Sequence, residues 1–241
     1  MNDDIDRILQ EQAHYYEARA SEYDDVWYRR GPFDMGAEAN ARWFEEVARL
    51  EAAIDEFDAS GDVLELAAGT GLITRRIAPR ATSLIAMDAS ASVLEINRAR
   101  IGDDPSVEYV QADIYEWEPP GGRRFDEIVF TFLLSHVPPQ RFEEFWARIA
   151  RWLKPEGRVF FADDRHEGET RPSNPGIQAS EGHDFAHVRQ LHDGREFTIV
   201  KIFYTPEGIV EELAPLGWHV DAATTGDEFV YGVATPTATP D

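Results

Sequence analysis

Short apolar runs alternate with amphipathic stretches through the middle of the chain. Five of these runs have the composition of strands: VLEL (63–66), SLIAMD (83–88), VEYVQAD (107–113), FDEIVFTF (125–132) and GRVFFAD (157–163). Helical spacing is found between them at 70–78, 91–100 and 139–154. Strands separated by helices of this length are typical of βαβ units. The pattern therefore predicts an α/β fold in which helices cover both faces of a parallel sheet.

The chain on either side of residues 62–163 has a different pattern. Residues 1–57 carry apolar side chains at helical spacing, including a stripe that predicts a helix over 37–57, so we expect an N-terminal helical cap. Residues 164–196 are polar and rich in glycine, proline, serine and histidine. This composition predicts a lid-like insertion after the fifth strand, with a disordered segment as the alternative.

The last part of the chain returns to regular patterns. Residues 197–235 predict a strand at 197–204, a helix at 205–218 and a strand at 228–235. With the five strands of the core, the two strands predicted here bring the total to seven strands. No repeat and no second boundary interrupts the chain, so we expect a single domain over 1–241.

Composition narrows the class of function. Lysine and arginine total 23 against 46 acidic residues, for a formal net charge of -23, and such a surface repels the phosphates of nucleic acids. There is no cysteine, which excludes disulfides, thiolate zinc sites and cysteine nucleophiles. The acidic N-terminus lacks a signal sequence, and no apolar run approaches the length of a membrane helix. We therefore expect a cytoplasmic protein without a nucleic-acid or membrane partner.

The stretch VLELAAGTGLITRRIA (63–78) holds the first candidate site. A strand leads into Gly69 and Gly71, where small residues let a ligand approach the backbone. The dinucleotide fingerprint requires another glycine where Thr74 stands, and no Walker-type phosphate loop occurs anywhere in the chain. The loop thus predicts a nucleotide-like ligand that lacks a diphosphate.

Acidic residues lie along three of the predicted strands. Glu65 falls within the first strand, Asp88 ends the second and Asp113 ends the third. Strand ends of a parallel sheet line one crevice, so we expect these carboxylates to surround one ligand. Carboxylates suit hydroxyl, amino and cationic groups, and they repel a diphosphate. S-adenosylmethionine, with its sulfonium, ammonium and ribose hydroxyls, has this profile.

The order and spacing of these residues resemble the class I S-adenosylmethionine-dependent methyltransferases. The resemblance implies a Rossmann-like sheet of seven mostly parallel strands, the last one antiparallel. It also implies a role for Glu65 at the methionine end of the cofactor, usually an indirect one, and contacts from Asp88 to the ribose and from Asp113 to the adenine amino group. The other implied contacts are Ala67, Gly69, Gly71, Ala89, Ile114 and Phe130. Ala67 is a departure, because the first loop of the family often has glycine at this position.

Candidate catalytic residues lie outside the glycine loop. The segment YYEARASEYDDVW resembles the entry helix of small-molecule methyltransferases, where aromatic faces stabilise a cation. We select Tyr16 as a cofactor contact and Tyr23 as a catalytic residue, with anchoring of the helix as the alternative. His136 follows the fourth strand and is the candidate general base, since imidazole takes up protons near neutral pH. The alternative is a histidine that only bonds to backbone.

The histidines of the insertion raise the question of a metal. His183, His187 and His192 have a spacing compatible with zinc or iron, but no acidic residue accompanies them at fixed spacing, so we predict no metal site. The resemblance implies methyl transfer to an oxygen of a small organic acceptor, less readily to nitrogen or carbon. The alternatives are a non-catalytic domain that binds the cofactor and a methyltransferase acting on protein side chains.

Overall fold

Seven strands form the central sheet of the computed structural model, which describes residues 2–165, 178–179 and 184–237. The strands are β1 (Gly61–Leu66), β2 (Ala81–Asp88), β3 (Val107–Gln111), β4 (Phe125–Thr131), β5 (Leu153–Asp164), β9 (Trp218–Thr224) and β10 (Phe229–Pro236). Their order is β3-β2-β1-β4-β5-β10-β9. The first five pair in parallel, and β10 pairs antiparallel with β5 and β9. The predicted seven-stranded sheet with an antiparallel last strand is confirmed.

Helices cover both faces of this sheet, as predicted. The helices are α1 (Asn2–Arg19), α2 (Tyr23–Trp27), α3 (Ala37–Phe57), α4 (Thr74–Ile77), α5 (Ala91–Ile101), α6 (Pro139–Trp152) and α7 (Pro206–Leu213). Side chains of a strand alternate between faces, so neighbouring residues of β1 enter different cores. Leu64 packs with Trp146 of α6, whereas Val63 packs with Leu50 of α3. The stripe predicted at 37–57 is the buried face of α3.

The sixth predicted strand exists, but its assignment to the central sheet was wrong. Residues Glu196–Val200 form a strand, but it belongs to a second sheet, and the missing strand of the central sheet is Trp218–Thr224. The helix predicted at 205–218 is shorter, because α7 ends at Leu213 and Gly217 turns the chain with a φ of 81°. A left-handed residue ends a helix and frees the following residues to enter the sheet.

A second sheet of three antiparallel strands lies within and after the predicted insertion. It consists of β6 (Gln178–Ala179), β7 (Ala186–Gln190) and β8 (Glu196–Val200). The described part of the predicted lid is therefore regular structure, while 166–177 and 180–183 lie outside the described residues. Helix α1 packs on this sheet, with Ile8 against Ala186 and Val200.

Polar side chains of α1 cover the free edge of β8. The Thr198 N–H donates to Glu11 Oε1 at 2.7 Å, and the Val200 N–H donates to Gln12 Oε1 at 3.0 Å. Unpaired backbone groups at a sheet edge would otherwise need water or another strand. Gln12 Nε2 also donates to the carbonyl of His136 at 3.3 Å, which connects the cap to the central domain. No helix of the described residues has the length and apolar character needed to cross a membrane.

We expect Gln12→Ala to lower the free energy of unfolding by about 1–3 kcal/mol, because the N–H of buried Val200 loses its acceptor. Gln10→Ala, at an exposed position of the same helix, is the matched control and should change it by less than about 0.5 kcal/mol. Urea unfolding of both variants measures the difference. Equal stability of the two variants would show that the edge contact contributes nothing.

Candidate active site

Two adjoining cavities open at the carboxyl ends of the parallel strands. Their volumes are about 420 and 160 Å³. They meet beside β1 and β4, where the strand order reverses, which is the usual ligand position in open α/β sheets. The residues that line both cavities are Tyr16, Tyr23, Ala67, Gly69, Phe132 and His136. The structure thus brings both predicted catalytic residues, Tyr23 and His136, to the junction.

The loop after β1 is held in left-handed backbone conformations. Ala67 has a φ of 51° and Gly69 one of 54°. For alanine this conformation costs about 1–2 kcal/mol, which explains why glycine is frequent in the family at this position. Gly71 has a φ of 87°, which is not helical, so α4 begins only at Thr74 and the helix predicted at 70–78 was too long.

Gly71 faces the protein interior and lines neither cavity. A Cβ placed on it would lie 2.7 Å from Asn97 Oδ1. Asn97 is buried, and its Nδ2 donates to the carbonyls of Ala68 and Gly69, both at 3.2 Å. Gly71 therefore leaves room for the amide that positions the loop, whereas we had expected a contact with the ligand.

The smaller cavity brings together seven of the predicted cofactor contacts, three of which it shares with the larger cavity. The four that line it alone are Asp88, Ala89, Asp113 and Ile114. Asp88 accepts hydrogen bonds from the N–H groups of Gly69 and Ser90, each at 2.9 Å. Burial raises the pKa of Asp88 above its ordinary value, and these hydrogen bonds oppose the shift. Asp88 is thus fixed at the end of β2 beside the loop that follows β1.

Glu65 lies beneath the loop and lines neither cavity. It is 3% exposed, and its Oε2 accepts from Thr74 Oγ1 at 2.7 Å. Burial raises the pKa of Glu65 to about 8. Thr74 Oγ1 in turn accepts from Asn97 Nδ2 at 2.8 Å, so Glu65 reaches the cofactor loop through two intermediate side chains.

Phe130 is a third predicted cofactor contact that lines neither cavity. It is 0% exposed and packs edge-on against Phe145 and Trp146 in the core. Residues alternate along a strand, so Phe130 on β4 points to the core under α6. Thr131 and Phe132, the next two residues, line the larger cavity instead.

Tyr16 and His136 form a hydrogen-bonded pair at the junction. Tyr16 Oη lies 2.6 Å from His136 Nε2, and His136 Nδ1 lies 2.6 Å from the carbonyl oxygen of Val200. A carbonyl only accepts, so Nδ1 carries the hydrogen and Nε2 accepts from the tyrosine. Burial, and then the charge of Lys201, hold the pKa of His136 well below 6.5. The imidazole is therefore neutral at physiological pH.

Tyr23 covers the glycine loop from the other side. A Cβ on Gly69 would lie 3.7 Å from its ring, and the guanidinium of Arg19 lies 5.5 Å from its ring centroid. Burial raises the pKa of Tyr23, so its hydroxyl remains protonated. Tyr23 thus offers the junction a neutral aromatic ring.

Sequence reasoning missed a buried charged cluster at the larger cavity. Lys201 is 3% exposed, and its Nζ lies 2.8 Å from Ser135 Oγ, 2.8 Å from Asp164 Oδ2 and 3.3 Å from Asp163 Oδ1. The signal was a single lysine inside the apolar run FTIVKIFY. Arg189 of β7 also lines this cavity and was not singled out.

No group of three or more histidine, aspartate or glutamate side chains suited to a metal occurs within 2–165, 178–179 and 184–237. His187 and His192 belong to these ranges, whereas His183 lies outside them. The metal hypothesis based on all three histidines therefore falls partly on undescribed residues.

Comparisons with known proteins agree with this geometry. A family model for a methyltransferase domain matches residues 63–157. A solved DhpI–SAH complex is 33% identical with a TM-score of 0.74, and the match covers 97% of this chain and 98% of that one. A DhpI–SAM–HEP complex is also 33% identical, with a TM-score of 0.73. SAM and SAH denote S-adenosylmethionine and S-adenosylhomocysteine. This chain belongs to the class I S-adenosylmethionine-dependent methyltransferases.

Curated relatives match a shorter part of the methyltransferase. Demethylmenaquinone methyltransferase of Clavibacter sepedonicus is 34% identical over 103 residues, which are 42% of this chain and 40% of that protein. Malonyl-[acyl-carrier protein] O-methyltransferase of Halalkalibacterium halodurans is 30% identical over 113 residues, 45% of this chain and 41% of that protein. The chain thus spans about two fifths of the length of these relatives.

The smaller cavity of the methyltransferase fits the cofactor of this family. Two carboxylates, Asp88 and Asp113, face it, and neither lysine nor arginine lines it. A diphosphate would meet like charge without a compensating cation, whereas ribose hydroxyls and the amino group of adenine find acceptors. The donor and acceptor set therefore matches S-adenosylmethionine and disfavours a dinucleotide.

We expect Glu65→Gln to flatten the pH dependence of stability. With a folded pKa of about 8 against 4.5 when unfolded, Glu65 is protonated in the folded state and ionised in the unfolded state between these values. Its contribution to the free energy of unfolding therefore falls by up to about 1.4 kcal/mol per unit as pH rises through this window.

Urea unfolding of wild type and Glu65→Gln from pH 5 to 8 measures the effect. Glu56→Gln, at an exposed position of α3, is the control and should follow the wild type. Parallel curves for wild type and Glu65→Gln would contradict the buried, protonated state of this carboxyl.

Proposed function

We propose that the protein transfers the methyl group of S-adenosylmethionine to an oxygen atom of a small organic acceptor. The observation that carries the proposal is the Tyr16–His136 pair at the junction of the two cavities. An oxygen that bears a proton must lose it during methylation, and this pair offers a neutral acceptor for that proton. The word O-methyltransferase in the name of the Halalkalibacterium halodurans relative lends support.

In this proposal the smaller cavity holds the adenosyl part of the cofactor. Asp88 accepts from the ribose hydroxyls, Asp113 accepts from the adenine amino group, and Ile114 packs on the ring, with Ala89 beside it. Ala67 and Gly69 present the backbone of the loop. Glu65 and Gly71 act through Thr74 and Asn97, which set the loop's position.

The larger cavity receives the acceptor. Its volume of about 420 Å³ lies in the range of small-molecule sites. Helix α1 and the second sheet cover it, with Tyr15 of the helix packed on Leu191 and Ile199 of the sheet segment. This cover, together with the size of the cavity, favours a small molecule over a protein side chain.

The bound cofactor supplies an electrophilic methyl group on a sulfonium. The residues of the protein then orient the acceptor and move its proton. Tyr16 Oη would take the acceptor's proton and pass its own hydrogen to His136 Nε2, while the methyl carbon would exchange its bond to sulfur for a bond to the acceptor oxygen. The carbonyl of Val200 accepts from Nδ1–H and so stabilises the imidazolium that results. Tyr23 presents its aromatic face, which favours a nearby cation.

The proposal is tested by incubation with methyl-labelled S-adenosylmethionine and a panel of small hydroxyl compounds, amines and carbon acids. Formation of S-adenosylhomocysteine with an O-methyl product is the expected result. Label on nitrogen or carbon would overturn the assignment to oxygen. Label only on proteins of a lysate would favour a protein methyltransferase, and tight cofactor binding without any transfer would favour a non-catalytic domain.

We expect Asp88→Asn to weaken S-adenosylmethionine binding by tenfold or more, because a charge-assisted contact is lost at about 1.5–3 kcal/mol. Calorimetry measures the dissociation constant. Asp104→Asn is the control, since Asp104 also accepts from the N–H and the hydroxyl of one serine, Ser106, but lies away from both cavities. Unchanged affinity in Asp88→Asn would count against the ribose contact.

We expect Tyr16→Phe to lower kcat by roughly 10²-fold, the usual scale for loss of a general base, and to leave cofactor affinity within about threefold. Tyr231→Phe, on β10, is the control. Steady-state kinetics and calorimetry separate the two effects.

The pH profile gives an independent check on the pair. Because the pKa of His136 is held well below 6.5, the imidazole stays able to accept a proton as pH falls, and kcat should be constant between pH 8 and 6. An imidazole with the ordinary pKa of 6.5 would lose roughly three quarters of its neutral form over this range. A loss of that size would refute the assignment of a buried His136 as the base.

A further inference from the structure

A buried guanidinium without a counter-ion lines the larger cavity. Arg189 of β7 is 8% exposed, and its Nη1 is buried without a hydrogen-bond partner. No carboxylate of the described residues lies within 4.0 Å of Arg189. Asp164, an acid lining the same cavity, is bound to Lys201 at 2.8 Å. Arginine stays charged when buried, so this side chain carries a positive charge without a direct ion pair, and Asp164 attracts it only at longer range.

Arg19 brings a second guanidinium to the same cavity. It lies over the rings of Tyr15 and Tyr23, at 5.6 and 5.5 Å from their centroids. It too has no ion pair with a carboxylate of the described part of the chain. Lys201, the third cation of the lining, is by contrast neutralised by Asp163 and Asp164.

The position of these two arginines distinguishes them from the other arginines without an ion pair. Acidic residues outnumber basic ones by 46 to 23, and many surface arginines pair with them. Arg76 pairs with Asp55 at 2.6 Å, and Arg141 pairs with Asp6 at the same distance. Arg30, Arg98 and Arg124 have no ion pair within the described residues but are exposed, whereas Arg189 and Arg19 line a cavity. Where carboxylates are in excess, an arginine that stays unpaired in a cavity leaves its planar donors for a ligand.

We infer that the methyl acceptor carries an oxyanionic group, a carboxylate or a phosphorus oxyanion, which Arg189 binds and Arg19 helps to neutralise. The inference rests on the proposed function, because it describes the acceptor in that cavity. The forked donors of a guanidinium match two oxygens of such a group, and a charge-assisted contact to a buried guanidinium is strong. Tyr16 and Arg189 line the same cavity, so the group is held beside the Tyr16–His136 pair.

Binding of simple probes tests the inference without knowledge of the acceptor. Propionate, its neutral isostere propionamide and methyl phosphate are titrated by calorimetry into the protein saturated with S-adenosylhomocysteine. We expect at least one anion to bind tenfold or more tightly than propionamide. The two anions separate a carboxylate from a phosphorus oxyanion. Equal binding of propionate, methyl phosphate and propionamide overturns the inference.

Variants assign the binding to Arg189. Arg189→Gln should weaken binding of the favoured anion by tenfold or more, and Arg189→Lys should recover part of it. The affinity for S-adenosylhomocysteine, expected within twofold of wild type, reports that the fold is intact. Arg195→Gln is the matched control, because Arg195 stands between β7 and β8, pairs with Asp193 and lines neither cavity. If Arg189→Gln does not fold, Arg19→Gln and Arg189→Lys must still weaken the binding.

The outcomes separate this inference from the proposed function. Methyl transfer to neutral hydroxyl compounds at the same efficiency as to anionic ones would overturn the inference and leave the O-methyltransferase proposal standing. Anion binding that depends on Arg189, without methyl transfer to any acceptor, would support the anion site and overturn the O-methyltransferase proposal. An alkali-labile methyl ester as product would support the anion and overturn the role of Tyr16 and His136 as a proton acceptor.

Discussion

Parallel strands β1 and β4 lie side by side, but the chain leaves them in opposite directions across the sheet. The segment after β1 crosses toward β2, and the one after β4 crosses toward β5. Their loops must therefore separate at the carboxyl ends of the strands, and a crevice opens there. Both cavities and every residue of the junction depend on this divergence.

Helix α1 and the second sheet cover the crevice. His136 lies in the turn after β4 and contacts both of them. Its backbone carbonyl accepts from Gln12 of the helix, while its ring bonds to Tyr16 of the helix and to Val200 of the sheet. The two ring contacts, with Val200 and Tyr16, also select the tautomer of the imidazole. Local stability and acid–base chemistry are thus connected through one side chain.

The central half of the molecule could be predicted from its sequence because its strands are short, apolar and separated by helices. Asp88 and Asp113 were predicted because the end of a strand places a side chain at the crevice whatever the conformation of the loops. Phe130 was misplaced because the register of β4, which decides the face each residue takes, is fixed by packing on α6. Gly71, predicted as a backbone contact of the cofactor, lies against Asn97 instead, a contact distant in sequence.

The cover was harder to predict because its order comes from tertiary contacts. Strand β8 resembled a strand of the main sheet until its partners were known. In the central sheet, the strand Trp218–Thr224 was missed although its first residues alternate between buried and exposed positions. Arg189 and Lys201 belong to no recognisable motif, since their role depends on which carboxylates lie near them in space. The composition shows only that carboxylates are abundant.

Helix α1 is tied to the rim of the cofactor pocket as well as to the second sheet. Glu17 accepts from the hydroxyls of Ser90 and Ser92 near the start of α5, and Asp24, beyond the end of α1, pairs with Arg100 and accepts from Thr70. Ser90 lines the smaller cavity and Thr70 lines the larger one. The N-terminal segment is therefore bound to the walls of both cavities, and its position determines the shape of the two together.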